Sequence, residues 1–130
     1  MATIFAHAYE KGIDSQPRKT NIVAALVRDR YVADAVVILE HTQRRAAKAV
    51  LKAVESANAN LLNNSGKSID PKTVRIARIV VTSGTRMRRY KPASRGRALP
   101  YEIISSNIFV EVAGEEKVKK VAETAKKEKK

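Results

Sequence analysis

Residues 71–101 read PKTVRIARIVVTSGTRMRRYKPASRGRALPY, and the reading of this stretch decides the fold. Its first part is β-branched, with Val74, Ile76, Ile79, Val80 and Val81 ahead of Gly84. A second run of the same kind, Ile103, Ile104, Ile108, Val110 and Val112, follows Pro100. Two β-forming runs flanking a polar middle form the pattern of one long hairpin. The middle is cationic. Lys72, Arg75, Arg78, Arg86, Arg88, Arg89, Lys91, Arg95 and Arg97 stand in residues 71–101 with no Asp or Glu among them. These nine carry most of the net charge of +13 on a 130-residue chain.

Gly84 is expected to mark a bulge or twist where the ribbon leaves its sheet. Beyond it Met87, Tyr90 and Leu99 are too few to build a core. At roughly 3.3 Å per residue, residues 81–91 reach about 30–35 Å. An isolated two-stranded ribbon is marginal in water. One with six cations and no anion across residues 85–97 is worse off, so its order has to come from a partner.

Upstream, residues 3–9 alternate as a strand, with Thr3, Phe5, His7 and Tyr9 on one face and Ile4, Ala6 and Ala8 on the other. Gly12 and Asp14 are expected to break it. Ser15-Gln16-Pro17 then opens a first helix, with Pro close to the first helical position. Ile22, Val23, Leu26 and Val27 recur at helical spacing and are expected to face the core, leaving Arg18, Lys19 and Arg28 on the polar side. Asp34 favours the opening turn of a second, shorter helix buried through Ala35, Val36, Ile38 and Leu39. His41 and Thr42 end it, and Thr42 is placed to cap a third helix over residues 43–62. There Ala47, Val50, Leu51, Val54, Ala57 and Leu61 form one stripe, and Arg45, Lys48, Lys52 and Glu55 another.

Arg44 and Arg45 stand in the first turn of this third helix, where the dipole makes a cation cost a few tenths of a kcal/mol to about 1 kcal/mol. Two readings follow. Either the long side chains bend away into water, or they join Lys48 and Lys52 in a face that contacts phosphates.

The excess positive charge repels itself in a compact domain, and a polyanionic partner is the economical explanation. Nucleic acid fits better than a membrane surface, because the chain has no Trp and only Phe5 and Phe109 to enter an interface. No apolar leader and no run of roughly 18 apolar residues occurs, so a cytoplasmic, unsecreted protein is expected. The absence of Cys excludes disulfides and thiolate sites. Seven of the nine cations in residues 71–101 are Arg, whose planar fork pairs bidentately with phosphate. Tyr90 is the one aromatic within the arm, which disfavours a stacking platform there and favours folded RNA, whose crevices hold phosphates on every side.

Other classes fare worse. A basic β-arm that bends DNA is the alternative, with Pro92 and Ala93 as a wedge, but such arms work in symmetric pairs and no apolar dimer interface is apparent. Gly66-Lys67-Ser68 resembles the end of a phosphate-binding loop, yet position 61 is Leu where that motif needs Gly. His7 and His41 lack carboxylates at metal spacing, and Asp29 and Asp34 flank a helix break, so no catalytic residue, metal or cofactor is expected.

Pro92-Ala93-Ser94-Arg95-Gly96-Arg97-Ala98, preceded by Met87-Arg88-Arg89, resembles the hairpin signature of the L-twenty-two family of large-subunit ribosomal proteins. Residues 15–30, 32–42 and 43–63 are similar to the three helices of that family, the last through Glu55-Ser56-Ala57-Asn58-Ala59-Asn60. The resemblance implies an α+β fold, a small antiparallel three-stranded sheet packed against three helices with a long protruding basic hairpin. It implies a single domain over residues 1–112 with the hairpin at about 80–103; the Lys-rich stretch over 113–130 has no clear counterpart in the family and is expected from its composition to be a flexible tail. It further implies a structural constituent of the large ribosomal subunit, without enzymatic activity, that supports assembly and lines the peptide exit tunnel. The RNA-binding residues it points to are Arg86, Arg88, Arg89, Lys91, Arg95 and Arg97 in the hairpin, with Gly96 between the last two; the charged helix faces add Arg18, Lys19, Arg44, Arg45, Lys48 and Lys52 on the body as expected RNA contacts. Arg88, Arg89, Tyr90 and Lys91 are expected to face the tunnel at the hairpin tip. Partners would be ribosomal RNA, neighbouring ribosomal proteins and the nascent polypeptide, with no membrane and no homo-oligomer. Two positions depart from the family pattern. Ala93 stands where Arg is common, a contact that is then lost or supplied by Arg86, and Ala33 stands where a capping Ser is frequent.

Overall fold

The computed structural model describes residues 3–64 and 69–115. In chain order these form β1 (Thr3–Ile13), α1 (Pro17–Val27), α2 (Val32–His41), α3 (Arg45–Asn64), β2 (Arg75–Pro92), a short 3-10 turn (Ser94–Gly96) and β3 (Ala98–Glu115). The three strands make one antiparallel sheet in the order β1-β3-β2, so the expected α+β architecture with its long hairpin is present. The motif Gly66-Lys67-Ser68 and the tail beyond Glu115 lie outside the described residues.

β3 is the centre of the sheet because it alone is flanked on both sides, and its residues read accordingly. Ile108, Val110 and Val112 are fully buried while Phe109 and Glu111 between them face outward, the period-two pattern of a sheet covered on one face. The three helices provide the cover. α3 contributes Ala46, Ala47, Val50, Ala53, Val54, Ala57 and Leu61, whose spacing makes one stripe along its length, and Ala8, Ile76 and Ile79 meet it from the sheet. Gly114 belongs to β3, where a β-carbon would come within 2.9 Å of Leu61 Cδ2 and 3.0 Å of Ile69 Cγ2, so any larger residue there requires those side chains to shift.

Three expectations need correction. Ile22 and Leu26 are half exposed, and the buried stripe of α1 is instead Thr20, Val23, Ala24 and Val27. Ile22 and Leu26 each precede a buried valine by one residue, hence by about 100° around the helix, and α1 is covered on one side only. Thr42 does not cap α3. Its hydroxyl donates back to the Ile38 carbonyl at 2.6 Å and ends α2. Gly12 does not end β1 either: at φ 70° it forms a bulge, its amide donates to Asn107 Oδ1 at 3.0 Å, and the strand continues to Ile13.

α1 opens at Pro17, with the Gln16 carbonyl accepting from the amides of Lys19 and Thr20. The Thr20 hydroxyl also donates to Gln16, at 3.2 Å, and lies 3.2 Å from Ser106 Oγ in the core. With Thr20 spending its one hydrogen on Gln16, Ser106 must be the donor between them. Thr20→Val is therefore expected to cost about 1–3 kcal/mol by stranding Ser106, and a further Ser106→Ala to recover most of that loss. Urea melts of the parent and the two variants check this; an unchanged midpoint in Thr20→Val would show that the pair does not bond.

Candidate nucleic-acid interface

Pairing between β1 and β3 stops at Ile13 and Ser106, while β2 and β3 continue together to Pro92 and Ala98. Beyond Ser106 the protein is thus a bare two-stranded ribbon. Its root is built on Gly84. The register slips between Ser83 and Arg86, and a β-carbon on Gly84 would lie 2.6 Å from Ser105 Oγ and 3.2 Å from the Ser105 carbonyl carbon. The Ser105 hydroxyl instead donates to the Thr85 carbonyl at 2.9 Å, satisfying a backbone acceptor at the bulge. The expected bulge is present, and a close approach is what requires glycine there.

Along the ribbon the pleat sends Arg86, Arg88 and Tyr90 to one face and Met87, Arg89 and Lys91 to the other. Both faces are therefore cationic. Opposite Arg88 stands Glu102, the only carboxylate among residues 85–110, whose oxygens are 3.8 Å from both Arg86 and Arg88. Ion pairs this exposed contribute no more than about 1 kcal/mol, so they position the two guanidiniums without tying them up. On the opposite face Lys91 Nζ sits 4.9 Å from the centre of the Tyr101 ring and Arg89 donates to Met87 Sδ at 3.7 Å. Tyr90 is 68% exposed.

The hairpin closes through Ser94–Gly96, with Arg95 and Gly96 both left-handed at φ 58° and 71° and the Ala93 amide donating to the Arg97 carbonyl at 2.8 Å. The far end of the ribbon is thus residues 93–97. Arg88, Arg89, Tyr90 and Lys91, expected at the tip, stand on β2 just before it.

The body cations divide into three groups. Lys19, Arg44 and Arg45 line an open crevice of about 590 Å³ at the foot of the ribbon, together with Asp14, Gln16, Glu102 and Ile104. The N-terminal ends of α1 and α3 both open onto it, and neither has an acidic residue in its first turn. Arg45 is nevertheless paired with Asp14. Lys48 and Lys52 lie further along α3, and Lys52 Nζ is 3.3 Å from Glu10. Arg18 is exposed on α1, away from the crevice lining. The acidic partners Asp14, Glu10 and Glu102 were invisible to local patterning; counting the register back from the turn would have set Glu102 opposite Arg88. No helix among the described residues is long and apolar enough to cross a membrane.

The fold defines a class: an α+β protein whose one apolar face is closed by helices and whose projecting ribbon carries charge instead of a core. The chain belongs to the family described as Ribosomal protein L22p/L17e, whose family model matches residues 8–113. It is similar to the large ribosomal subunit protein uL22 of Metamycoplasma hominis, 37% identical over 107 residues that cover 82% of this chain and 81% of that protein. The uL22 of Rickettsia canadensis is 38% identical over 117 residues, covering 86% of this chain and 92% of the relative. That of Mesoplasma florum is 38% identical over 107 residues, covering 82% and 92%. Membership makes this chain a structural, non-enzymatic protein of the cytoplasmic ribosome.

Proposed function

We propose that this chain, a structural constituent of the large ribosomal subunit, binds ribosomal RNA chiefly through the ribbon beyond Ser106 and lines the peptide exit tunnel with its end. The observation that carries this reading is the distribution of Arg86, Arg88, Arg89, Lys91, Arg95 and Arg97 over both faces and the turn of a ribbon without a core. A strand pair in water needs one cationic face at most. One embedded in folded RNA meets phosphates on each side, so cations directed either way find partners. Lys19, Arg44 and Arg45 at the foot would hold the backbone where the ribbon enters, and Arg18, Lys48 and Lys52 would extend the contact over the body. Gly96 keeps the turn tight enough for the backbone to lie against RNA or nascent chain. Neighbouring ribosomal proteins and the nascent polypeptide complete the set of partners.

Each phosphate neutralised releases condensed counterions, so binding weakens steeply with salt. Arg88→Ser with Arg89→Ser is expected to reduce the slope of log affinity against log salt by roughly two, one for each lost phosphate contact, with the body still folded. Binding of large-subunit ribosomal RNA in competition with random duplex DNA is the measurement. An unchanged slope, or equal competition by both polymers, would show that the ribbon is not the principal contact.

A further inference from the structure

Among the described residues the helices close one face of the sheet and leave the other open. Register fixes what that open face displays. Phe5, Ala113 and Arg75 form one cross-strand row, His7, Glu111 and Arg78 the next, and Tyr9, Phe109 and Val80 a third. Phe5 is 59% exposed and Tyr9 49%. The His7 and Phe109 rings stack with centroids 5.9 Å apart and planes 28° apart, and Lys11 Nζ lies 5.3 Å from the centre of the Tyr9 ring.

We propose that this open sheet face is a second RNA surface, one that stacks unpaired bases. β-propensity accounts for aromatic residues in strands, but it does not account for three aromatics and a histidine gathered on the side that no described helix or loop covers. The flanking charges select the occupant. Lys11 lies at the β1 edge, Arg75 and Arg78 at the β2 edge, and Glu111 between them. An apolar protein segment would cover the rings and leave those edge cations unmatched. A single strand of RNA satisfies both, with bases against the rings and phosphates passing over the edges, while Glu111 repels a backbone from the middle. Arg75 donates its Nε to the Asp29 carbonyl at 3.0 Å, which holds its guanidinium at the β2 edge. The inference goes beyond the ribbon, which works by charge, and stands whether or not the ribbon is the principal contact.

The test uses the full chain, a labelled adenosine RNA of about ten nucleotides and an abasic ribose-phosphate strand of the same length. Phe5→Leu with Tyr9→Leu keeps the face apolar and removes two rings. It is expected to weaken binding of the adenosine strand about tenfold, while the salt slope and binding of the abasic strand stay unchanged. Tyr9→Trp should retain the affinity, since the larger ring still stacks. Arg88→Ser with Arg89→Ser should lower the slope for both strands and keep the preference for adenosine, so the two readings fail separately. Equal loss for both strands in the leucine pair, or no loss at all, would overturn the proposal. Self-association of the unaltered chain that the leucine pair abolishes would also overturn it, making the face a contact between proteins.

Discussion

Deleting residues 85–97 is expected to lower affinity for large-subunit ribosomal RNA by about a thousandfold or more at moderate salt, and to flatten the salt dependence by a slope of about five. The deletion removes six cations and no anion. The slope follows from about 0.9 counterion per neutralised phosphate, slightly reduced because Glu102 stays behind and already balances part of the field around Arg86 and Arg88. Folding should survive. None of the deleted residues is buried, Ser83 and Ser106 still pair, and residues 98–104 are left as a closing loop. A long loop adds little closure entropy, so the melting temperature should move by only a few degrees. Filter binding from about 50 to 200 mM salt, alongside thermal melts, measures both quantities. A slope that stays steep in a folded deletion variant would mean that Lys19, Arg44, Arg45, Lys48 and Lys52 on the body supply the binding, and the ribbon reading would be abandoned.

Local chemistry dominated where the sequence was readable. Ile4, Ala6 and Ala8 alternate with Phe5, His7 and Tyr9, and the structure keeps that division, with Ala8 buried and Phe5 and Tyr9 open to water. Gly84 announced the root of the ribbon because glycine inside a β-branched run has few other uses. The stripe of α3 from Ala47 to Leu61 was equally plain, since a long helix gives the 3.6-residue period room to repeat. α1 is shorter, and two exposed apolar residues, Ile22 and Leu26, were enough to turn its apparent face away from the true one.

What stayed hidden was set by partners distant in sequence. Arg45 meets Asp14 from 31 positions away, Thr20 meets Ser106 from 86, and Gly12 is held in β1 by Asn107 from 95. No window of local pattern contains both members of such a pair. The candidate RNA surfaces divide along the same line. The charge of the ribbon is visible in a string of letters, whereas the aromatic face of the sheet exists only because β1 lies against β3 in one register, bringing Tyr9 opposite Phe109.

Ile108→Ala should destabilise the free chain by about 2–5 kcal/mol and lower its melting temperature by on the order of 10–20 °C, yet leave the salt slope of RNA binding intact. Ile108 is fully buried in the central strand, opposite Glu10 on β1 and Val81 on β2, so neither neighbouring strand can shift inward to fill the space without losing its own register. The ribbon cations all lie beyond Ser106, outside that cavity. A ligand that binds only the folded chain restores stability by mass action, about 2.7 kcal/mol at a hundred times its Kd. The variant should therefore melt early by itself and close to the parent temperature with saturating ribosomal RNA. An unaltered melt of the free variant would remove Ile108 from the core. A melt that RNA fails to raise would show that RNA does not distinguish the folded body from the unfolded chain, and that the cationic ribbon binds without needing the sheet that carries it.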